Sequence, residues 1–463
     1  MLAALLTAMC VTFYSCTNDC FVQTVDEEKA IPTEFTPEEC HYMVTMQKGN
    51  SVDPNEAMDK VFEYAGTMMT RGENDLEKAG IIYKEEIGAT AKDTLLPDTL
   101  AYMFESKSQR KRYIVSADNR TNESLLAVYN NPSEEENLSY VKVIIHDIIR
   151  KSLANYVKHE IVSYEENKDS IFKLIQSKIA FSSPDTTTYV TRQQAPKGYG
   201  LDDEYFVNDY PVGNWYVAGF RDTMVPVSWH QGYPYYYSVD DKANCTIVRP
   251  GCVAIAVAQL LTYWENPLYL NGQLVDWDLV TASPTVNNMF SDQGVLVLSL
   301  IRDVADGCQT IYTCNGGISD IDKAKSFLEN IGFTTDNKQS YSSSSVLQSL
   351  VDSRPVLIEG YNNEEIGHEW IIDGYCKNAQ LRREELSVYD TQLRRWVVIH
   401  TRDYYEYDLR YHYNWGGDGD FDGWFADGCF DYDSRLSGYT RSVTPSSSYE
   451  YNVHILTNIH PNE

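Results

Sequence analysis

At 463 residues the chain exceeds the size one hydrophobic core usually organises, so two domains are expected. Lys and Arg number 38 against 67 Asp and Glu, and the formal net charge of −29 repels nucleic acid and anionic membranes, which sets aside a nucleic-acid-binding role. Solubility is reason enough for so much acid.

The first residues, MLAALLTAMCVTFYSC, form an apolar stretch too short to span a bilayer and ending in Ser15 and Cys16. The stretch reads as an export signal over residues 1–16, and it resembles a bacterial lipoprotein signal in which Cys16 is lipidated and becomes the mature N-terminus. No basic segment precedes it, and an ordinary secretory signal is the alternative. Either way the expected location is outside the exporting cell, as an outer-membrane or cell-surface lipoprotein or a secreted protein, with membrane contact only through a lipid at Cys16.

Residues 20–185 form a block with its own organisation. Asp53, Pro54 and Glu56 look like an N-cap, a first-turn proline and a capping acid opening an amphipathic helix through Met68. Lys107 to Arg112 is a basic cluster that reads as a solvated loop. RYIVSADNRTNESLLAVYN, 112–130, predicts two strands around an Asp-Asn turn. In VKVIIHDIIRKSLANYVKHEI, Ile145, Ile148, Ile149, Leu153, Tyr156 and Val157 make a helical stripe. SSPDTTTYVTRQQAPKGYG, 182–200, is polar and aperiodic, so residues 186–200 are expected to link this block to a second domain over 201–463.

In the second domain, VPVSWHQGYPYYY predicts a strand ending at Gln231. GCVAIAVAQLLTYWENP, 251–267, predicts a buried helix, preceded by the Pro250-Gly251 turn and closed by Asn266 and Pro267. Cys252 falls in its first turn, where unpaired N–H groups and the helix dipole stabilise a thiolate and can hold an oxyanion. A free cysteine is by default a small buried hydrophobe, so a partner has to decide. Ser319 is expected to cap a helix over Asp320 to Asn330 that Gly332 ends, and PVLIEGY, 355–361, reads as a buried strand. GHEWIIDGY, 367–375, predicts a strand with His368, Trp370 and Ile372 on one side. YHYNWGG, 411–417, puts His412 and Asn414 on one face and Tyr411, Tyr413 and Trp415 on the other. Asp418, Asp420, Asp422 and Gly423 match the first half of a calcium loop, but Cys429 stands where a bidentate glutamate is needed, and a turn explains the pattern.

Ten cysteines do not make a disulfide scaffold at this length, and no pair has zinc-knuckle spacing. With Cys10 and Cys16 in the signal and Cys252 catalytic, an odd number remains; Cys308 and Cys314 could form a local bridge in an exported protein. No metal and no cofactor are expected.

The order Gln231, Cys252, His368, Asn414 supplies a donor, a thiolate, a general base and a residue that fixes the base's tautomer, which is what a papain-like nucleophilic site needs. His230 and His412 lack the flanking pattern of His368 and read as packing histidines. The three blocks around Cys252, His368 and Asn414 resemble, in order and character, the signature blocks of the streptopain-like cysteine peptidases, over about residues 200–463. The resemblance implies an α+β papain-like fold, with a catalytic helix packed on an antiparallel sheet. It also implies Cys252 as nucleophile, His368 as general base, Gln231 as oxyanion donor and Asn414 as orienting residue. That family usually has a second Trp after Asn-Trp-Gly, whereas here Gly416 is followed by Gly417 and Asp418. The "IVSAD" strand resembles one in the same family's propeptide, which makes residues 20–185 a smaller α+β inhibitory propeptide. The expected function is therefore an exported cysteine endopeptidase made as a zymogen, with polypeptide substrates and its own propeptide as partners. A thiol acyltransferase and an inactive binding or inhibitor protein on the same scaffold are the alternatives.

Overall fold

A computed structural model describes residues 35–68, 75–132, 140–182, 205–270, 272–314, 316–361, 367–390, 394–430 and 452–462. The signal segment, and the junction beyond Ser182, lie outside them. Thr36 opens α1 (Pro37–Lys48) with a capping box, its hydroxyl accepting from the Glu39 N–H while the Glu39 carboxylate takes the Thr36 N–H. Asp53 accepts from the N–H groups of Asn55 and Glu56 and starts α2 (Pro54–Met68), as expected. Four antiparallel strands follow: β1 (Leu76–Tyr83), β2 (Thr99–Ser106), β3 (Lys111–Ser116) and β4 (Leu125–Asn130). The last two flank the predicted turn, in which Asp118 and Arg120 form a buried ion pair at 2.7 Å. The helical stripe belongs to α3 (Tyr140–Ser182), which at 43 residues runs well past the segment that showed the pattern.

The catalytic half contributes β5 (Tyr205–Pro211), β6 (Tyr216–Arg221), α4 (Cys252–Trp264), α5 (Asp292–Gly307), β7 (Ile311–Thr313), β8 (Gly316–Ile318), α6 (Ile321–Asn330) and α7 (Ser343–Val351). Then come β9 (Val356–Tyr361), β10 (Gly367–Asp390), β11 (Arg395–Asn414), β12 (Gly423–Ala426) and β13 (Asn452–Leu456). The strands at 367 and 411 are the two ends of one long hairpin, a feature the local pattern did not predict. One edge of β10 pairs in succession with β9, β6 and β5, and the other with β11. A single antiparallel sheet runs in the order β1-β2-β3-β4-β12-β11-β10-β9-β13, so the N-terminal strands continue the catalytic sheet through β4 and β12. Val128 backbone and Tyr129 crowd the Cα of Gly423 so closely that a Cβ there would clash, which explains glycine at that pairing.

Strand alternation divides the buried side chains into two layers. Trp370, Ile372, Tyr411, Tyr413 and Trp415 face α3 and α7, packed with Ile145, Ile149 and Leu350. Leu357, Ile371 and Leu456 face α4, α5 and α6, packed with Ala254, Val257, Leu261 and Leu300. This is the α+β architecture expected, with a helix on the sheet carrying the cysteine.

Three local expectations change. Asp320, not Ser319, caps α6, accepting from the Lys323 N–H, because the Ser319 hydroxyl is taken up by the Cys308 carbonyl at 2.6 Å. The segment before Gln231 is not a strand; His230 makes one isolated bridge to Gly417. Cys314 is bonded to Cys245, 69 residues away, and Cys308 is free and buried. Among the described residues no helix is long and apolar enough to cross a membrane.

Candidate active site

Ten consecutive residues of α4, Val253 to Thr262, are buried, which fixes the helix axis and presents its first turn at the surface of the core. Its N-cap is Gly251, at φ 92°, with the Gly317 carbonyl 2.8 Å from where a Cβ would sit. Both the backbone angle and the close approach demand glycine. The Cys245–Cys314 disulfide ties the loop before Gly251 to the β7–β8 hairpin that carries Gly317, so the approach to Cys252 is braced from outside the helix.

Cys252 is partly exposed. Its thiol lies against the backbone N–H groups of Glu369, Val253 and Cys252 itself. The sequence predicts a lowered thiol pKa here, and the structure reverses the sign: burial and then the Glu369 carboxylate push it up to about 12, and the N–H groups do not offset them. The thiol has no cationic partner among the described residues, and such a partner is what the expected depression required.

His368 is buried, 4% exposed, on the face expected from alternation. Its ring lies parallel to Trp370 and Trp415, centroids 6.0 and 6.3 Å away, and those two indoles stack on each other at 4.6 Å. Trp370 and Trp415 thus form an aromatic wall on this imidazole. Nε2 lies 2.8 Å from the Trp415 carbonyl oxygen. A carbonyl only accepts, so Nε2 carries the proton and Nδ1 is the basic nitrogen. Burial lowers the imidazole pKa to about 4, against a smaller opposing effect of that hydrogen bond, so the ring is neutral near pH 7.

Asn414 makes no hydrogen bond to this imidazole. The register pairs it with Ile371, and directly opposed residues share a face, so Asn414 points to the α4 layer while His368 points to the other. Its Nδ2 donates to the Val227 carbonyl, and its Oδ1 accepts from the Gly416 N–H and from Gln259 Nε2 at 3.3 Å. Gln259 Oε1 in turn accepts from the Trp229 N–H at 2.6 Å. The pair staples the 227–229 loop to the turn after β11. The orienting acceptor is the neighbouring main-chain carbonyl of Trp415.

Gln231 is 7% exposed and its carboxamide makes no hydrogen bond among the described residues, so its donors are uncommitted. The His230–Gly417 bridge holds it beside the 414–417 turn. His230 itself accepts from the Gly232 N–H and packs edge-on to Tyr235, with burial and then Lys142 lowering its pKa to about 4. His412 pairs with Asp373 at 2.7 Å under Trp424. Both are packing histidines in this fold. Asp420 is paired with Lys142, and Asp422 accepts from the Trp415 N–H, so these acids shape the turn. Gln259 was the participant sequence reasoning missed; a lone amide inside AVAQLL was its only signal. A backbone acceptor such as the Trp415 carbonyl leaves no residue-type signal at all.

Residues 229–425 match the model of the peptidase C10 family. The match supports a cysteine-type peptidase, in line with the three blocks. Among solved structures, a prointerpain A fragment from Prevotella intermedia, a cysteine-to-alanine mutant, is similar at 14% identity and TM-score 0.46, over 80% of this chain and 98% of that one. No curated protein matches the chain.

Proposed function

We propose that the chain is an exported cysteine endopeptidase made latent, which hydrolyses peptide bonds through a thioester on Cys252. The observation that carries the reading is the placement of Cys252 at the first turn of a buried helix, against the opening strand turn of β10 that carries His368. In the working site His368 Nδ1 takes the thiol proton as Cys252 Sγ attacks the substrate carbonyl carbon. The Cys252 N–H and the Gln231 carboxamide hold the oxyanion. His368 then gives its proton to the leaving amine, and water releases the acyl group.

Latency is supported by the same geometry. The imidazole is bonded to Trp415 and the thiol to backbone N–H groups, and with the thiol pushed up and the imidazole pushed down both are neutral at pH 7. The N-terminal block bears on the turn that holds this state: Ile145 packs 3.3 Å from where a Gly417 Cβ would sit, and Lys142 pairs with Asp420. Residues 20–185 then act as an intramolecular inhibitor, and cleavage within 182–200 frees His368 to meet the thiol. A disulfide beside the site accords with export, with Cys16 as a possible lipid anchor. The test is labelling of Cys252 by iodoacetamide at neutral pH, before and after trimming. Labelling that rises on trimming and collapses in His368→Ala supports the reading; equal labelling in all three contradicts it.

A further inference from the structure

Glu369 follows His368 and points into the opposite layer, where the inward positions of the neighbouring strands are Leu357, Ile371 and Leu456. Nothing in that apolar layer calls for an acid. Yet Glu369 is 2% exposed and neither of its carboxylate oxygens has a hydrogen-bond partner among the described residues. Its neighbours make matters worse: Glu359 and Asp320 add negative charge, and Lys338 is the cation that counters them. Lys338 is already engaged by Glu359 at 2.6 Å. Glu359 Oε2 also takes the Tyr361 hydroxyl and the Ile321 N–H, and its Oε1 faces Lys338 and His454, so both of its oxygens are engaged by donors or cations where those of Glu369 are not. The remaining groups around Glu369 are the thiols of Cys252 and Cys308, and Tyr361, none of them cationic. A buried carboxylate left unpaired is strongly disfavoured, and burial holds the Glu369 carboxyl well above the usual carboxylate range, so a cation that reached it would meet an acid with no competing partner.

We propose that Glu369 is the specificity determinant of this peptidase, its carboxylate taking the ammonium or guanidinium of a lysine or arginine side chain on the acyl side of the scissile bond. The proposal rests on the reading of Cys252 as the nucleophile. Proximity supplies the geometry: the Glu369 N–H touches the thiol, and its carboxylate is the charge that acts most on it. An arginine can meet both orphan oxygens at once. Because burial holds the Glu369 carboxyl so far up, a basic side chain ionises and neutralises it in one binding event, and the preference is read in kcat/KM.

The experiment uses the full chain, incubated until casein hydrolysis is constant, and fluorogenic peptides that differ only by Lys, Arg or norleucine at the first or second residue before the cleaved bond. At one of those positions kcat/KM for Lys or Arg should exceed norleucine by at least about tenfold, the effect of one charge-assisted pair. Glu369→Gln should collapse that ratio, and Glu369→Asp should restore part of it. A wild-type protein without the preference, or a preference that survives E369Q, overturns the proposal and leaves the peptidase reading standing. Failure to hydrolyse casein as well as every peptide overturns both.

Discussion

In the proposed mechanism His368 is the base, and a positioned base contributes about 10²–10⁴-fold while also sustaining the thiolate, so His368→Ala should lose activity by that factor or more. His230→Ala and His412→Ala should keep most of it, since neither ring touches the thiol; a dead His412→Ala would contradict the site. Gln259→Ala and Asn414→Ala should depress casein hydrolysis to a similar, intermediate extent, because they remove one and the same staple, and the double variant should add little. His412 also gives a pH signature. Burial works against its charged form, but the Asp373 carboxylate and hydrogen bond outweigh it and the pKa is raised. A raised folded pKa stabilises the fold below the unfolded value of about 6.5 and the gain fades as pH rises through the folded one. Melting temperatures of His412→Gln and wild type should therefore differ most below about pH 6.5 and converge on the alkaline side; a gap that widens with pH would refute the pair. Cys252 and His368 stand out in the sequence as candidates because residue type and flanks announce them. The contacts of Asn414 were not legible, because alternation places side chains on faces within one strand, and only the register between β10 and β11 says which faces coincide.

At the level of elements, α4 was readable end to end, since Pro250, Gly251, the apolar run and Asn266-Pro267 are all local signals. The β10–β11 hairpin was not: its outer half carries Arg382, Arg383, Glu384, Glu385, Asp403 and Glu406, and cross-strand pairs such as Arg383–Asp403 hold it where apolar alternation fades. The bridge from Cys245 to Cys314 was equally hidden, because connectivity between cysteines 69 residues apart depends on the fold. Opening that loop by Cys245→Ser with Cys314→Ser should cost about 4 kcal/mol on loop entropy alone. The melting temperature should fall, and activity should fall with it because Gly251 loses its brace. Unchanged stability in the double variant would show that the bridge is incidental.

For the whole molecule, the sheet shared through β4 and β12 makes the N-terminal block part of the latent form, while α3 reaches the turn behind Trp415. Ile145→Asp should weaken that contact and shorten the lag before casein hydrolysis, read as faster trimming by intact mass; a lag longer than wild type would contradict the bracing role. The α+β class was legible through the resemblance of the three blocks to a known family. That the two blocks share a sheet was not, because strand partners hundreds of residues apart leave no trace in local pattern. The account stands or falls on the nucleophile, and the most direct measurement is casein hydrolysis over time, in the presence of a thiol reductant, by wild type and Cys252→Ala side by side with N-terminal sequencing of both. Wild type should pass from latent to active as a fragment starting near residue 190–200 appears, while Cys252→Ala stays folded, uncut and inactive until active enzyme is added. Casein hydrolysis by Cys252→Ala at the wild-type rate would contradict the account.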